Sequence, residues 1–122
     1  MEPEDWLAHL DLYRALQKES DWDGAIGESG QEVRLRPKYW VSHENLADAF
    51  AGKHDWNEAI KEYRQAIQLN PGDSAIHHHL GNALEQQGDL RSALDEYQKA
   101  CENPYDSDAR QDYETLLKRL NK

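Results

Sequence analysis

The chain has few of the residues that would tie it to nucleic acid, to a membrane surface or to a disulfide framework. It contains 14 lysines and arginines against 24 aspartates and glutamates, and its formal net charge is −10. Nucleic acid and anionic membranes both require a basic face, so this balance argues against them and favours neutral or basic partners. Cys101 is the only cysteine, which excludes an intramolecular disulfide and favours a reducing compartment.

Long apolar runs and catalytic motifs are also missing. No run approaches the roughly 20 apolar residues that a membrane span needs. The opening MEPEDWLAHLDLY is acidic and interrupted by polar residues, unlike a signal peptide. No nucleophile motif, phosphate-binding glycine loop or metal-ligand spacing is present, and no carboxylate pair stands out as acid and base. The sequence therefore predicts a cytosolic, non-catalytic protein with no cofactor and no bound metal.

What the sequence does contain is an internal repeat of 34 residues. The segments DWDGAIGESGQEVRLRP, DWNEAIKEYRQAIQLNP and DLRSALDEYQKACENP align, and they end at Pro37, Pro71 and Pro104. Three sets of residues recur at the same interval: Asp21, Asp55 and Asp89; Ala25, Ala59 and Ala93; Leu12, Leu46 and Leu80. A repeat of this length indicates stacked supersecondary units, none of which buries its apolar face alone.

Each unit has the pattern of two helices. In the central unit, YWVSHENLADAFAG carries a helical apolar stripe that ends at Gly52. Asp55 is the expected N-cap of the second helix, and Glu58 completes a capping box. Asn-Pro-Gly at 70–72 ends that helix, and Asp73 caps the next. The tail SDARQDYETLLKRL predicts a last helix whose apolar face covers the core and whose polar face meets water.

These repeats resemble the tetratricopeptide repeat (TPR) family. Residues 80–104 carry most of its pattern, namely Leu80, Gly81, Leu84, Gly88, Asp89, Ala93, Tyr97, Ala100 and Pro104. The resemblance implies an all-α fold: a right-handed α-solenoid of three helix–turn–helix pairs with a C-terminal solvating helix, about seven helices in all. We expect a single domain over 1–122, with repeats at 6–39 (degenerate), 40–73 and 74–106 and a capping helix at 107–122.

The first repeat departs from the family pattern. Tyr13 replaces a small residue, Ser29 an aromatic one and Glu32 a second small one. Its second helix also contains Gly24, Gly27 and Gly30, each costing about 1 kcal/mol relative to alanine. We expect this helix to be distorted. It is either a frayed terminal element or a face that receives another segment or subunit.

Histidines occupy one position of every repeat. His9, His43 and His77 lie 34 apart, where TPR units usually carry a large aromatic residue, and imidazole can pack there while keeping a nitrogen for a hydrogen bond. His78 and His79 follow round the helix. Adjacent helical residues point about 100° apart and cannot share one ion, so a metal would need Glu44 or Asp48 from the neighbouring unit. We interpret the triplet as structure, with zinc as the minor alternative.

The resemblance also implies a binding surface, because first helices line the concave face of a TPR superhelix. The inward positions form a polar groove with a basic end and an acidic middle: Leu10, Arg14, Gln17, Lys18, Glu44, Asn45, Asp48, His78, His79, Asn82, Glu85 and Gln86. TPR clamps for acidic chaperone tails need Lys, Asn, Asn, Lys and Arg at positions held here by Leu10, Arg14, Asn45, Ala75 and His79. Only Asn45 fits, so we expect no chaperone-tail binding.

Two function classes follow. The first is a scaffold or adaptor that holds a neutral to basic peptide or partner helix, favoured by Met1 and the polar end RLNK. The second is a non-catalytic positioning or assembly segment of a larger enzyme, since similar repeats are common in bacterial multidomain proteins. Self-association through the apolar N-terminal edge, with Trp6, Leu7, Leu10 and Trp40, is a further alternative.

Overall fold

The computed structural model describes residues 12–15, 21–103 and 107–121, and this part of the chain is helical with no strand. Residues 12–15 belong to a first helix, α1. Six helices follow: α2 (Trp22–Leu35), α3 (Trp40–Gly52), α4 (Trp56–Leu69), α5 (Ser74–Gln87), α6 (Leu90–Ala100) and α7 (Ser107–Leu120). None of the described helices is long and apolar enough to cross a membrane.

From α2 onward, each helix packs mainly against the helices before and after it in the chain. The pairs α3/α4 and α5/α6 therefore stack in sequence order, and α7 covers α6. Small side chains make these contacts close. Ala59 and Ala93, at the predicted interface positions, are both fully buried.

Aspartates start four of the helices, two of them (Asp55 and Asp73) at predicted N-cap positions and two (Asp21 and Asp89) at the positions that repeat Asp55. The side chains of Asp21, Asp55, Asp73 and Asp89 accept hydrogen bonds from the backbone N–H groups of Gly24, Glu58, Ala75 and Ser92, respectively. The predicted capping box at Asp55 is only half present. The backbone N–H of Asp55 donates to the carbonyl of Phe50 at 2.9 Å, so this aspartate links the end of α3 to the start of α4.

The turns that follow α3 and α5 require a left-handed backbone. Gly88 has φ of 97°, and the equivalent residue 34 positions earlier is His54, with φ of 64°. Glycine adopts this region freely, whereas a residue with a Cβ is strained there. The His54 ring stacks on Trp56, with 5.4 Å between the ring centroids.

The expected distortion of the second helix was wrong. α2 is continuous over 14 residues, because Asp21 caps it and it buries Ala25, Ser29 and Glu32 along one side. A Cβ added at Gly27 or at Gly30 would meet nothing within 4 Å. These two glycines are therefore not needed for close packing.

Two other glycines are required by the packing. A Cβ at Gly81 on α5 would lie 2.6 Å from the ring of Tyr97 on α6, and one at Gly52 would collide with the ring of Trp22. Trp40, proposed above as part of an apolar edge, is half-buried against the main core. Trp6 and Leu7, which share that prediction, lie outside the described residues.

Candidate functional site

Nine of the twelve predicted groove residues lie in the described part of the chain. Leu10, Gln17 and Lys18 are outside it. Arg14 is exposed on α1, and none of the described contacts joins it to α3 or α5. The other eight lie on α3 and α5, where six of them form two clusters.

The first group, called here the α3 cluster, consists of Tyr13, Glu44, Asp48, Tyr63 and His79. Glu44 and Asp48 are four residues apart on one side of α3. The hydroxyl of Tyr63 donates to Oδ1 of Asp48 at 2.5 Å, and Nδ1 of His79 lies 3.7 Å from the same oxygen. The rings of Tyr63 and His79 are 5.9 Å apart. Residues of α1, α3, α4 and α5 thus share one site.

Burial makes negative charge unfavourable in the α3 cluster. It raises the pKa of Glu44 to about 7, and the nearby carboxylates of Asp48 and Asp73 add to the effect. Burial also raises the pKa of Asp48, against the opposing influences of the Tyr63 hydroxyl and His79. The pKa values of the Tyr13 and Tyr63 hydroxyls rise for the same reason, with Asp48 as the next cause. A cation brought to this site would relieve the penalty.

The second group, called here the α5–α7 cluster, consists of His78, Asn82, Glu85, Tyr97, Asp112 and Arg119. Nε2 of His78 lies 2.6 Å from Oδ2 of Asp112, and Arg119 donates to Oε2 of Glu85 at 2.6 Å. The Tyr97 hydroxyl donates to Oε1 of Glu85 at 2.8 Å and lies 2.7 Å from Oδ1 of Asn82. Unlike the α3 cluster, this one contains a basic group for each carboxylate.

Sequence reasoning did not include five residues of the two clusters, namely Tyr13, Tyr63, Tyr97, Asp112 and Arg119. Tyr63 and Tyr97 each reach a polar residue 15 positions earlier, Asp48 and Asn82, so the 34-residue register of both pairs was an available signal. Asp112 and Arg119 carried no such signal. The polar face of the last helix was expected to meet water, whereas the structure joins both residues to α5.

The remaining predicted residues contribute less. The backbone carbonyl of Asn45, rather than its side chain, accepts the Tyr13 hydroxyl at 2.7 Å. Gln86 is exposed. The site as described therefore rests on Glu44, Asp48 and His79 in one cluster and on His78, Asn82 and Glu85 in the other.

The first histidine of the triplet has the structural role that the repeat predicts. His77 is buried, and so is its equivalent His43. His78 and His79 point to different partners, Asp112 and Asp48. Within the described ranges no three His, Cys, Asp or Glu side chains are grouped so that they could hold a metal ion.

The stacked helix pairs define a helical-repeat protein of the α-solenoid class. Family models for the TPR repeat and the tetratricopeptide repeat match residues 47–88 and 74–104. Residues 47–104 are thus tetratricopeptide repeats, and the predicted family and fold class are confirmed. No curated protein sequence matches the chain.

Solved TPR domains have the same fold. The first TPR of Spaghetti (RPAP3), bound to the HSP90 peptide SRMEEVD, superposes with a TM-score of 0.92 at 19% identity, covering 100% of this chain and 98% of the other. The Arabidopsis OM64 TPR domain superposes with a TM-score of 0.88 at 18% identity, and the match covers 94% of this chain and 96% of that domain. The second TPR domain of human RPAP3, in complex with the HSP70 peptide SGPTIEEVD, superposes with a TM-score of 0.87 at 20% identity. The match covers 94% of this chain and 98% of that domain.

Proposed function

We propose that this chain is a non-catalytic scaffold or adaptor that holds an extended peptide or partner helix along the inner surface of α1, α3 and α5. The partner is neutral to basic. The observation that carries this preference is the contrast between the two clusters. Glu85 and Asp112 are paired with Arg119 and His78, whereas the described contacts bring no lysine or arginine to Glu44 or Asp48.

Peptide binding is supported by the solved domains, two of which carry chaperone peptides that end in Glu-Glu-Val-Asp. The chemistry of this chain differs at the corresponding surface. Ala75 and His79 stand where a carboxylate clamp needs Lys and Arg, and His79 lies beside Asp48. An acidic tail would therefore meet buried negative charge, and we propose that this chain does not bind such tails.

The decisive test compares peptides of opposite charge on one protein. We expect a labelled lysine-rich peptide to bind the native chain, measured by fluorescence anisotropy, and SGPTIEEVD to bind at least tenfold more weakly. Glu44→Lys should weaken binding of the lysine-rich peptide at least tenfold, since it places like charges together. Tighter binding of the acidic peptide would contradict the proposal.

The variants need matched controls. Asp48 accepts the Tyr63 hydroxyl, so Asp48→Asn is preferable to Asp48→Lys because the amide oxygen retains that acceptor. Asp95→Lys replaces a carboxylate by an ammonium group, as Glu44→Lys does, at an exposed position on α6. It should leave affinity unchanged. An equal loss in both lysine variants would indicate a non-specific effect of net charge.

Other expectations remain predictions within this proposal. They include the four segment boundaries, a cytosolic location, a bacterial origin and a role as a positioning segment of a larger enzyme. Self-association has one observation in its favour, because the side chain of Leu12 on α1 is 46% exposed. Sedimentation equilibrium of the native chain and of Leu12→Ser tests it, and equal monomeric masses would exclude that edge.

A further inference from the structure

An open cavity of about 620 Å³ lies beside the turn between α4 and α5. Its volume is within the range of about 300–1,000 Å³ that ligand pockets have. The residues that line it include Ile67, Pro71, Gly72, Ser74, His77 and Lys99. None of its lining residues belongs to the α3 cluster or to the α5–α7 cluster, so the cavity is a separate feature of the surface.

One wall of the cavity is the ring of His77, which has a hydrogen-bond partner at both nitrogens. Nδ1 lies 2.7 Å from Oε2 of Glu96 on α6, and Nε2 lies 3.1 Å from the carbonyl oxygen of Pro71. The equivalent ring of His43 meets a carboxylate of α4 and the carbonyl oxygen of Pro37 in the same way. The second and third helix pairs therefore share this framework, and the cavity depends on other side chains.

Two side chains beside this framework are large in the second helix pair and small in the third. Trp40 is the first residue of α3, and Ser74, 34 positions later, is the first residue of α5. Lys38 in the preceding turn corresponds to Gly72, where an added Cβ would meet nothing within 4 Å. Trp40 is half-buried and packs against the main core. By the repeat register, the cavity therefore lies where the second pair has an indole ring.

The mouth of the cavity also differs in charge between the two pairs. Lys99 and Glu102 border it at exposed positions, whereas the residues 34 positions earlier are Gln65 and Gln68. Lys99 has only a long contact, 3.4 Å to Oε1 of Glu96. An ammonium group is attracted to the face of an aromatic ring, most strongly to that of tryptophan, and a carboxylate accepts the indole N–H. These charges complement an indole better than an aliphatic side chain.

We propose that the cavity is a docking site for a tryptophan side chain of a partner polypeptide, with its indole placed as Trp40 is placed in the second helix pair. Ile67 and Pro71 supply the apolar contacts. Lys99 lies against the face of the ring, and Glu102 accepts its N–H. The site is distinct from the inner surface and goes beyond the basic-peptide binding proposed above.

The first experiment is a titration of the native chain with N-acetyl-L-tryptophanamide, followed by ¹H–¹⁵N correlation spectra. We expect saturable shifts of the backbone amide signals of Ser74, His77 and Lys99, while those of Glu44 and Glu85 stay unchanged. N-acetyl-L-leucinamide should bind about fivefold more weakly or less. Equal binding of the leucine derivative, or no saturable shift at the cavity, would overturn the proposal.

Free L-tryptophan distinguishes a docking site for a polypeptide from a site for the amino acid itself. Its ammonium and carboxylate groups are replaced by peptide groups when tryptophan is part of a chain, as they are in the amide derivative. We therefore expect the free amino acid to bind no more tightly than N-acetyl-L-tryptophanamide. Tighter binding of free L-tryptophan would contradict docking of a polypeptide at this cavity.

The variant Ser74→Trp tests the equivalence from within the chain. Its indole should fill the cavity, abolish the shifts caused by N-acetyl-L-tryptophanamide and raise the Tm by about 4 °C relative to Ser74→Ala. Ser74→Ala is the matched control because both variants lose the hydrogen bond that the Asn103 side chain donates to Ser74 Oγ at 3.0 Å. Undiminished binding in Ser74→Trp would place the ligand elsewhere and overturn the proposal.

The variant Trp40→Ser tests the equivalence in the opposite direction. Its Tm should fall, because an indole packed on the core is lost. N-acetyl-L-tryptophanamide should then shift the signals of residues 38–43 in addition to those of the native site. The absence of these additional shifts in the folded variant would show that the two positions are not equivalent. If this variant does not fold, Ser74→Trp decides the question.

Discussion

The first and third helix pairs place their large and small side chains in opposite order. In α5/α6, Gly81 provides space on the first helix and Tyr97 fills it from the second. In the first pair the equivalent residues are Tyr13 and Ser29, both buried. Tyr13 packs in a separate cluster with Ala25 and Ala49. The apparent degeneration of the first repeat is therefore an exchange of size between two positions.

Both positions stay buried in the first pair, but their polar connections differ from those of the other pairs. Tyr97 on α6 and Tyr63 on α4 both extend their hydroxyls to side chains of the inner surface. Ser29 donates instead to the carbonyl of Ala25 in its own helix, at 2.7 Å. The hydroxyl of Tyr13 meets a backbone carbonyl of α3. The tyrosine of the second helix thus links the two helices of its pair, and in the first pair a serine stands in its place.

The strongest test of this comparison introduces the tyrosine and serine of the first helix pair at the equivalent positions of the third pair. Gly81→Tyr alone should destabilise the protein by about 3 kcal/mol or more through overpacking against Tyr97. Tyr97→Ser alone should cost about 3–5 kcal/mol through the cavity it leaves. If the exchange of size is correct, Gly81→Tyr/Tyr97→Ser should lose much less than the sum of the two. Urea unfolding of all four proteins gives the coupling energy, and simple additivity would refute the exchange.

A second test compares the inner carboxylates of neighbouring pairs. The raised pKa of Glu44 means that the folded chain holds its proton where the unfolded chain has lost it, between pH 4.5 and about 7. Native stability falls as pH rises through this window, and Glu44→Gln should remove that fall. At pH 8 the variant should gain about 1–2 kcal/mol, after allowance for solvent screening.

The matched variant is Glu85→Gln, which removes a carboxylate that accepts hydrogen bonds from both Arg119 and Tyr97. It should lower stability at pH 8, the opposite sign to Glu44→Gln. Chemical denaturation at pH 4, 6 and 8 measures both. Equal effects of the two substitutions would mean that the clusters do not differ in charge compensation.

The smallest effect concerns the glycines of α2. Gly27→Ala and Gly30→Ala should each raise stability by about 0.5–1 kcal/mol, because both positions are helical and open. Gly52→Ala should instead lower it by about 1–3 kcal/mol, since its Cβ meets the ring of Trp22. If Gly27→Ala or Gly30→Ala instead lowered the free energy of unfolding of the isolated chain, the space beside that glycine would not be open in solution.

Sequence periodicity predicted the fold well, because caps, alanines and turn residues recur at fixed offsets. Asp55 and Asp73 cap helices as predicted, and Asp21 and Asp89, which repeat Asp55 at intervals of 34 residues, cap helices too. The pattern could not predict the continuity of α2, since a favourable buried face outweighs local glycine propensity. Nor could it predict the ion pair between Arg119 and Glu85, because the one-residue deletion before α7 interrupts the repeat register. Residue spacing also does not specify how far a long side chain such as arginine extends.

The site was predicted in part. Placing Glu44 and Asp48 on a shared face needed only helical geometry, and the structure has them in one cluster with His79. The contribution of Tyr13 was missed because it was considered only as a departure from the family pattern. The use of both nitrogens of His43 and His77 was also missed, since a carbonyl partner such as Pro37 leaves no trace in side-chain patterns.

The order in which the helices pack has a kinetic consequence. From α2 onward each described helix meets mainly its neighbours in the chain, so most contacts close short loops. Chains of low contact order fold rapidly, and in a repeat protein folding starts at one nucleus and propagates to the neighbouring helices. We infer that the nucleus is the pair α5/α6, because it contributes several of the most deeply buried side chains. Folding then extends from this pair in both directions along the chain. The helices farthest from α5/α6 are therefore the last to form.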